Sequence, residues 1–260
     1  MRTITTVISA SVLIAQLSLS AANGPLPQAL ASVVTLLERA RDACGGSARL
    51  RAVTSLRLSG KSENRNLFYG QTPTAKEEFI HYATEQSLLL PDHYLLIERR
   101  TDGAVERFSG FAGSTPIYRT VINGQVGTWS GPEAMAGEQA QFARLMILLL
   151  LRTDSALALT PKAESSSKIR FTGADGFDAT VDIAADTGRP ISLAHTVRIH
   201  GSDEVRTYVT RVDERRTVDG VSLPVRMTTT ALGKIFSKVT YDTIEINPRL
   251  TPADFTKVAK

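Results

Sequence analysis

The 260-residue sequence contains few cysteine, histidine and aromatic residues. Its single cysteine, Cys44, has no partner within the chain, which excludes an intrachain disulfide framework. Aromatic residues make up only 6% of the chain, and its lysines and arginines are scattered among acids. Single-stranded nucleic acids are bound by basic surfaces with interleaved aromatic rings, so this composition disfavours nucleic-acid binding.

Motifs that carry chemistry are also missing. The sequence has no Gly-x-Ser-x-Gly elbow, no His-Glu-x-x-His pair and no phosphate loop. The four aspartates of one stretch lack calcium-loop spacing; they are Asp175, Asp178, Asp182 and Asp186. We therefore expect neither catalysis, nor a metal, nor a cofactor. A secreted enzyme whose residues converge only in three dimensions remains an alternative.

The N-terminal segment has the pattern of a secretory signal peptide. Arg2 precedes an apolar run from Ile4 to Leu19, and Ser20 and Ala22 are spaced for cleavage before Asn23. A retained single-span anchor is the alternative. Cleavage near Ala22 removes one arginine and no acid, so the formal charge falls from +4 to +3. We expect residues 23–260 to form one exported domain, because no low-complexity segment divides them, and the loop of small polar residues predicted over residues 161–168 is too short to separate domains.

One amphipathic helix is predicted near the start of this domain, over residues 27–43. Leu30, Val33, Val34 and Leu37 share a face at helical spacing. Gly45 and Gly46 follow, and glycine readily takes the left-handed conformation that ends a helix. Cys44 is then a small apolar residue at the helix end.

Most of the remaining chain alternates apolar and polar residues between turn signals, which predicts about ten to twelve antiparallel strands. The clearest case is a hairpin with two apolar rows, which comprise Phe177, Ala179, Val181 and Ile183, then Ile191, Leu193, His195, Val197 and Ile199. His195 is interpreted as a hydrogen-bonded core residue. His200, five residues later on the strand, points to the opposite face, so the two histidines do not share a metal. Asn123-Gly124 predicts a tight hairpin turn.

The stretch "RLMILLLLR", from Arg144 to Arg152, is the most apolar part of the predicted domain. Its seven apolar residues would form roughly 10 Å of helix, a third of the thickness of a bilayer core, so they cannot span a membrane. They end a predicted helix over residues 132–153. Apolarity on all sides indicates burial on more than one side. We therefore expect a strongly curved sheet around this helix.

Several segments, in this order, resemble the LolA-like family of periplasmic lipoprotein and lipid carriers: "ACGGSARLRAVTSLRLSG", "SLLLPDHYLLIERRTDG", "DIAADTGRPISL", "VDGVSLPVRM" and "YDTIEINPRLTPADFTK". The resemblance covers most of residues 27–257. It implies a mainly β (α+β) fold in which one curved antiparallel sheet forms an incomplete barrel, with an N-terminal helix and a central helix as its lid. Lipoprotein carriers have an arginine that latches the lid where this sequence has Leu95. That difference favours a diverged relative that carries or senses another lipid.

The resemblance implies a non-enzymatic, monomeric periplasmic carrier that takes a lipid or acylated ligand from a membrane-bound donor and passes it to an acceptor. An envelope sensor or scaffold of the same fold, acting through protein partners, is the alternative. The candidate cavity and lid residues are Leu56, Leu58, Ile80, Tyr82, Phe142, Leu145, Met146, Leu149, Val181, Leu193, Val225 and Met227. Each of them is equally suited to an ordinary core, and the helix could also fill the barrel completely. If the helix covers a ligand, Leu149→Asp should lower the amount of co-purified lipid.

Overall fold

A computed structural model describes residues 28–65, 79–128, 132–155, 157–198 and 204–257. The predicted signal peptide and its cleavage site lie outside the described residues. So do Trp129, Ile199 and His200.

Within these ranges, thirteen strands form one antiparallel sheet. The strands are β1 (Ser55–Arg65), β2 (Phe79–Leu89), β3 (His93–Arg100), β4 (Val105–Ala112), β5 (Thr115–Ile122), β6 (Gln125–Thr128), β7 (Thr160–Ser165), β8 (Lys168–Thr172), β9 (Asp178–Ile183), β10 (Pro190–Arg198), β11 (Val205–Val218), β12 (Val221–Ala231) and β13 (Lys234–Ile246). Four helices accompany them: α1 (Gln28–Ala43), α2 (Ser47–Ala52), α3 (Pro132–Leu150) and α4 (Pro252–Thr256).

The sheet consists of two meanders that meet in the middle. Strands β1 to β6 run in sequence to one edge, strands β7 to β13 return from the other edge, and β1 pairs with β13 at the centre. The two edge strands, β6 and β7, do not pair with each other, so the sheet is not closed into a barrel. Helix α3 follows β6 and precedes β7, and therefore connects the two edges.

The sheet curls around α3. This helix contacts β4 and β5 on one side and β10 and β12 on the other. Strands β4 and β10 are seven positions apart in the sheet, a separation of roughly 34 Å if the sheet were flat. A helix is only about 10–12 Å wide, so it reaches both groups of strands because the sheet bends around it. The expected incomplete barrel with a central helix is confirmed.

Three hairpins are joined by two-residue turns in which both residues have positive φ. Asn123-Gly124 has φ values of 49° and 81°, as its sequence predicted. Asp219-Gly220 (48° and 77°) and Leu232-Gly233 (51° and 71°) have the same form. Such turns have the twist of the strands they join, and they fix the register of these hairpins.

The apolar end of α3 is buried on all sides, as expected. Each residue from Leu145 to Leu151 is at most 6% exposed. Arg41 of α1 donates hydrogen bonds of 3.0 and 3.3 Å to the carbonyl oxygen of Leu151, and Arg152 donates one of 2.6 Å to that of Val53. These contacts satisfy carbonyl groups near the helix end. Among the described helices, none is long and apolar enough to cross a membrane.

Helices α1 and α2 lie at the end of the molecule where α3 ends. Gly45 and Gly46 separate them with φ values of 120° and 93°, in agreement with the predicted helix stop. A side chain at Gly45 would place its Cβ 2.3 Å from the carbonyl oxygen of Gly220, so this tight approach also requires glycine. Cys44 is 2% exposed, and burial raises the pKa of its thiol, which suits the predicted apolar role.

A second, smaller core lies beneath α4, which packs against β3 and β4. Phe255 of this helix is buried with Leu95, Ile97, Phe108 and Ile117. Leu95, which occupies the position of the latching arginine in the resemblance, therefore belongs to a core separate from the one that contains α3.

Three sequence expectations need correction. The described sheet has thirteen strands, one more than the upper estimate. Strand β6, which follows the hairpin turn predicted at Asn123-Gly124, has all four of its residues exposed. The polar stretch 161–168, predicted to be a loop, forms most of β7 and its turn into β8. Ile191, predicted to be buried with Leu193, is 45% exposed because the pairing of β10 with β9 shifts register between Pro190 and Ser192.

Candidate functional site

A cavity of about 410 Å³ lies between α3 and the strands that the helix covers. Its volume is within the range of small-molecule sites. The lining residues come from β2, α3 and the four strands β10 to β13; they are Gln86, Gln141, Arg144, Leu145, Leu148, Leu193, His195, Val197, Tyr208, Thr210, Met227, Thr229, Phe236, Ser237, Val239 and Tyr241. The helix thus fills only part of the space that the curved sheet encloses.

One face of α3 forms the roof of the cavity. Gln141, Arg144, Leu145 and Leu148 lie at positions i, i+3, i+4 and i+7, so they line up along the helix. Phe142 faces away from the cavity. Its ring packs against Tyr94 and Phe111, with centroid distances of 6.1 and 5.4 Å. The helix is therefore held by an aromatic core on one side and borders open space on the other.

Aromatic side chains form one part of the sheet wall. The ring of His195 stacks on Tyr208 at a centroid distance of 5.5 Å, and Tyr208 meets Phe236 edge to face at 5.1 Å. Burial and the nearby positive charge of Arg144 lower the pKa of His195 to about 3, so the ring is neutral at physiological pH. Among the described residues, Nδ1 of His195 is buried without a hydrogen-bond partner, so this nitrogen does not make the hydrogen bond expected of a core histidine.

Polar groups line the deeper wall. Gln86 is 5% exposed and forms a side-chain hydrogen bond with Tyr241, whose pKa is raised by burial. The Oε1 atom of Gln86 is buried without a partner. The hydroxyl groups of Thr210 and Thr229 bond to each other at 2.9 Å. The wall therefore offers hydrogen-bonding atoms within a largely apolar surface.

Arg144 is the charged residue of the lining. Its Nη2 donates a 3.0 Å hydrogen bond to Oε1 of Gln141. Burial lowers the pKa of this guanidinium to about 10, so it stays protonated at neutral pH. Its pKa also reflects the charge of Glu138, but the described residues contain no ion pair between Arg144 and a carboxylate.

Glu138 lies six residues before Arg144 on the same helix. Burial raises its pKa to about 7, although a hydrogen bond from Ser109 and the charge of Arg144 act in the opposite direction. The hydrogen bond to Ser109 connects this carboxyl group to β4, on the side of the helix away from β10.

A separate polar cluster lies on β1, β3 and β4. Glu98 is 6% exposed and accepts hydrogen bonds from Ser62 (3.4 Å), Asn64 (3.2 Å) and Arg107 (3.2 Å). Its carboxylate is thus matched by a charged partner and two neutral donors. This cluster does not line the cavity. In the described part of the chain, no group of three or more His, Cys, Asp or Glu residues is arranged to hold a metal ion.

The cavity reaches solvent at one side. Val197, near the end of β10, lines it and is 37% exposed. Leu193, four residues earlier on the same strand, is 2% exposed and lies deeper. The leucines at the end of α3 are buried, and Arg41 and Arg152 hold the chain there.

The twelve candidate residues named from the sequence are divided between cavity and core. Leu145, Leu193 and Met227 line the cavity. Eight others are buried without lining it: Leu56, Leu58, Tyr82, Phe142, Met146, Leu149, Val181 and Val225. Ile80 is partly buried on β2 and also lies outside the lining. A role in ligand binding stays a prediction for all twelve.

The polar part of the lining was not predicted from the sequence. Gln86, Gln141, Arg144, Thr229 and Tyr208 gave no pattern of their own. A helical stripe through Gln141, Arg144, Leu145 and Leu148 was available in the sequence, but the more apolar stripe through Phe142 and Leu149 obscured it. His195 was recognisable as the one histidine in an apolar row.

These features define a class of protein: an open, curved antiparallel sheet with a helix across its concave face and a cavity beneath that helix. No protein-family model and no curated protein matches the sequence. Among solved structures, a DUF1329 family protein from Desulfovibrio piger has a TM-score of 0.54 at 11% identity, covering 88% of this chain and 98% of that one. An outer membrane lipoprotein-sorting protein domain, so described, from Vibrio parahaemolyticus has a TM-score of 0.51 at 11% identity, covering 85% and 96%.

A LolA superfamily protein from Nitrosomonas europaea is also similar, with 13% identity over 88% of this chain and 99% of that one. Its TM-score of 0.40 does not by itself establish a shared fold. The first two similarities do establish one: this chain has the fold of the DUF1329 family protein and of the lipoprotein-sorting protein domain. At 11% identity they show the fold alone.

Proposed function

We propose that this protein is a non-enzymatic carrier that binds the acyl chain of a lipid or lipoprotein in the cavity beneath α3. The cavity itself is the observation that carries the proposal. It is enclosed by Leu145, Leu148, Leu193, Met227 and Val239, and it opens to solvent near Val197. A long apolar chain that enters from this side is removed from water along its length.

The hydrophobic effect provides enough free energy for such binding. Burial of one methylene group contributes about 0.8 kcal/mol, so ten of them contribute roughly 8 kcal/mol before the entropic losses of association. Affinity therefore needs few specific contacts. Release into an acceptor is the harder step, and movement of α3 relative to β10 and β12 would open the cavity.

We further propose that the carrier works in the periplasm as a monomer, after removal of residues 1–22. The signal-peptide pattern and the similarity to a lipoprotein-sorting domain support this location. Its partners would be a membrane-bound donor and an acceptor of the same lipid.

Lipid content tests the proposal. The chain is expressed with its own leader and purified without detergent, and bound lipid is identified by native mass spectrometry. We expect one acylated molecule per chain. Thr229→Trp, which places a large side chain in the cavity, should lower the lipid content strongly. Arg226→Trp is the matched control on the opposite face of β12, where Arg226 is exposed, and should retain the lipid.

Two results would contradict the carrier. One is the absence of lipid from wild-type protein under several growth conditions. The other is unchanged lipid content in a folded Thr229→Trp variant, which would place the ligand outside this cavity. Circular dichroism and thermal unfolding establish that each variant is folded.

An envelope scaffold is the second candidate, and the edge strand β6 favours it. All four of its residues are exposed, and Val126 is 58% exposed next to the 52% exposed Ile122 of β5. An exposed strand edge can add a strand from a partner protein. A lipid-free wild-type protein that captures an envelope protein, and loses it in Val126→Lys, would favour this candidate over the carrier.

A further inference from the structure

The guanidinium of Arg144 faces a mostly apolar cavity without a carboxylate partner. Its one hydrogen bond in the described structure goes to a neutral acceptor, Gln141 Oε1. Guanidinium groups have five N–H donors in a planar fork that matches an oxyanion. Most of these donors are therefore available to a molecule in the cavity.

Two further polar groups of the lining have unused hydrogen-bonding capacity. Nδ1 of His195 and Oε1 of Gln86 are both buried without a partner. His195 is close enough to Arg144 for the arginine charge to contribute to its pKa. A neutral imidazole can carry its proton on Nδ1 and donate there, and an amide can rotate to present its NH₂ group. Both residues can thus act as donors beside the guanidinium.

None of the charged groups around Arg144 in the described residues forms an ion pair with it, although the charge of Glu138 contributes to its pKa. Glu138 is six residues earlier, roughly 9 Å along the helix axis, and bonds to Ser109 of β4. Glu98 is matched by Arg107 in the separate cluster on β3 and β4. The described residues therefore leave the cavity with a net positive charge at Arg144. An ion inside a low-dielectric site is strongly stabilised by an opposite charge.

Building on the carrier function, we propose that the cavity selects anionic amphiphiles, whose head group binds Arg144 with support from His195 and Gln86. The apolar chain extends along Leu145, Leu148 and Leu193. The head group is an oxyanion, either the carboxylate of a fatty acid or the phosphate of a phospholipid. The cavity thus selects amphiphiles by the charge of the head group as well as by the apolar chain, and uncharged or cationic amphiphiles of equal length bind more weakly.

A ligand series with one chain length tests this selection. Dodecanoate, methyl dodecanoate, dodecyl phosphate and dodecyltrimethylammonium compete with an uncharged fluorescent fatty-alcohol analogue for delipidated protein, below their critical micelle concentrations. A hydrogen-bonded charge pair contributes about 10- to 100-fold in affinity. We expect the preferred anion to bind more tightly than the ester by this factor, and the cationic amphiphile to bind most weakly.

Arg144→Met should abolish the preference for the anion over the ester, whereas Arg144→Lys should restore part of the preference. Arg211→Met is the matched control, since Arg211 is exposed and lies outside the cavity lining. The ligand series in wild-type protein needs no variant, so it decides the question even if Arg144→Met does not fold.

The outcomes separate this inference from the carrier function. Equal binding of anion and ester in wild-type protein, or equal weakening of both in Arg144→Met, would overturn the anionic selection and leave the carrier intact. No binding of any amphiphile would overturn both. Tighter binding of dodecyl phosphate than of dodecanoate would support the selection and assign the phosphate as the head group.

Discussion

Substitution of Glu138 by glutamine should make the protein more stable at alkaline pH. Burial of Glu138, a residue of α3, raises the pKa of this carboxyl group from 4.5 to about 7. Below pH 4.5 the group is protonated in both folded and unfolded chains and has no effect. Between pH 4.5 and 7 the unfolded chain releases the proton first, so the free energy of unfolding falls as the pH rises. Above pH 7 the free energy of unfolding remains lowered by a constant amount.

The size of this effect follows from the shift. One pKa unit corresponds to 1.36 kcal/mol, so the shift of Glu138 corresponds to at most about 3 kcal/mol, and solvent access reduces this to about 1–3 kcal/mol. Glutamine has nearly the same shape and no charge. We therefore expect Glu138→Gln to gain about 1–3 kcal/mol over wild type at pH 8 and almost nothing at pH 4.5.

Urea unfolding at pH 4.5 and pH 8 measures the difference. Glu214→Gln serves as the control, because Glu214 is 49% exposed and paired with Arg226 on the surface. The control should change stability by less than about 1 kcal/mol at either pH. A Glu138→Gln variant that is less stable than wild type at pH 8 would refute the reasoning. It would show that the attraction of Glu138 to Arg144 and Arg107 exceeds the cost of burying its charge.

Two other substitutions give distinct expectations. The pKa of His195 is lowered from 6.5 to about 3, so its contribution to stability is complete above pH 6.5 and is lost as the pH falls towards 3. As the pH is lowered from 7 to 4, the free energy of unfolding of His195→Phe, measured with urea, should therefore rise by about 1–3 kcal/mol relative to that of wild type. A difference between variant and wild type that does not change with pH would contradict this. Leu149→Ala should cost about 2–5 kcal/mol in thermal unfolding, because Leu149 is 1% exposed in the core. Leu232→Ala, at an exposed position, is its control. An equal loss of stability in the two variants would contradict the role of burial.

The position of Leu149 also changes how the lid hypothesis is tested. Leu149→Asp would place a carboxylate in the core next to the cavity, so it would report on folding before it reports on ligand. Leu145 and Leu148 face the cavity from the same helix. Thr229, on the sheet wall, allows the volume of the cavity to be changed without a charge.

The strands and turns were largely predictable, because the alternation of side chains along a strand is a local property. Phe177, Ala179, Val181 and Ile183 are all at most 8% exposed, as their period of two indicated. The prediction of burial failed where the pairing of strands, and not the alternation of side chains, decides which residue is exposed. Ile191 became exposed through a register shift in the pairing of β10 with β9.

The candidate site was less predictable than the fold. Burial makes leucines of the core and leucines of a cavity alike in sequence, so Leu145 and Leu149 could not be distinguished. Arg144 looked like the polar end of an apolar run. Its importance depends on the absence of a carboxylate partner among the described residues, which no local pattern reveals.

The sequence by itself determined helices α1 and α3, the Asn123-Gly124 turn and the conclusion that the seven apolar residues after Arg144 cannot span a membrane. These follow from steric preferences and periodicities between near neighbours in the chain. Only the tertiary structure decided which face of α3 meets the sheet and which borders the cavity. That choice depends on the curl of the sheet, which is set by pairings as distant as Leu56 with Ile246. Such pairings bring Gln86, Arg144 and His195 together from three separate elements.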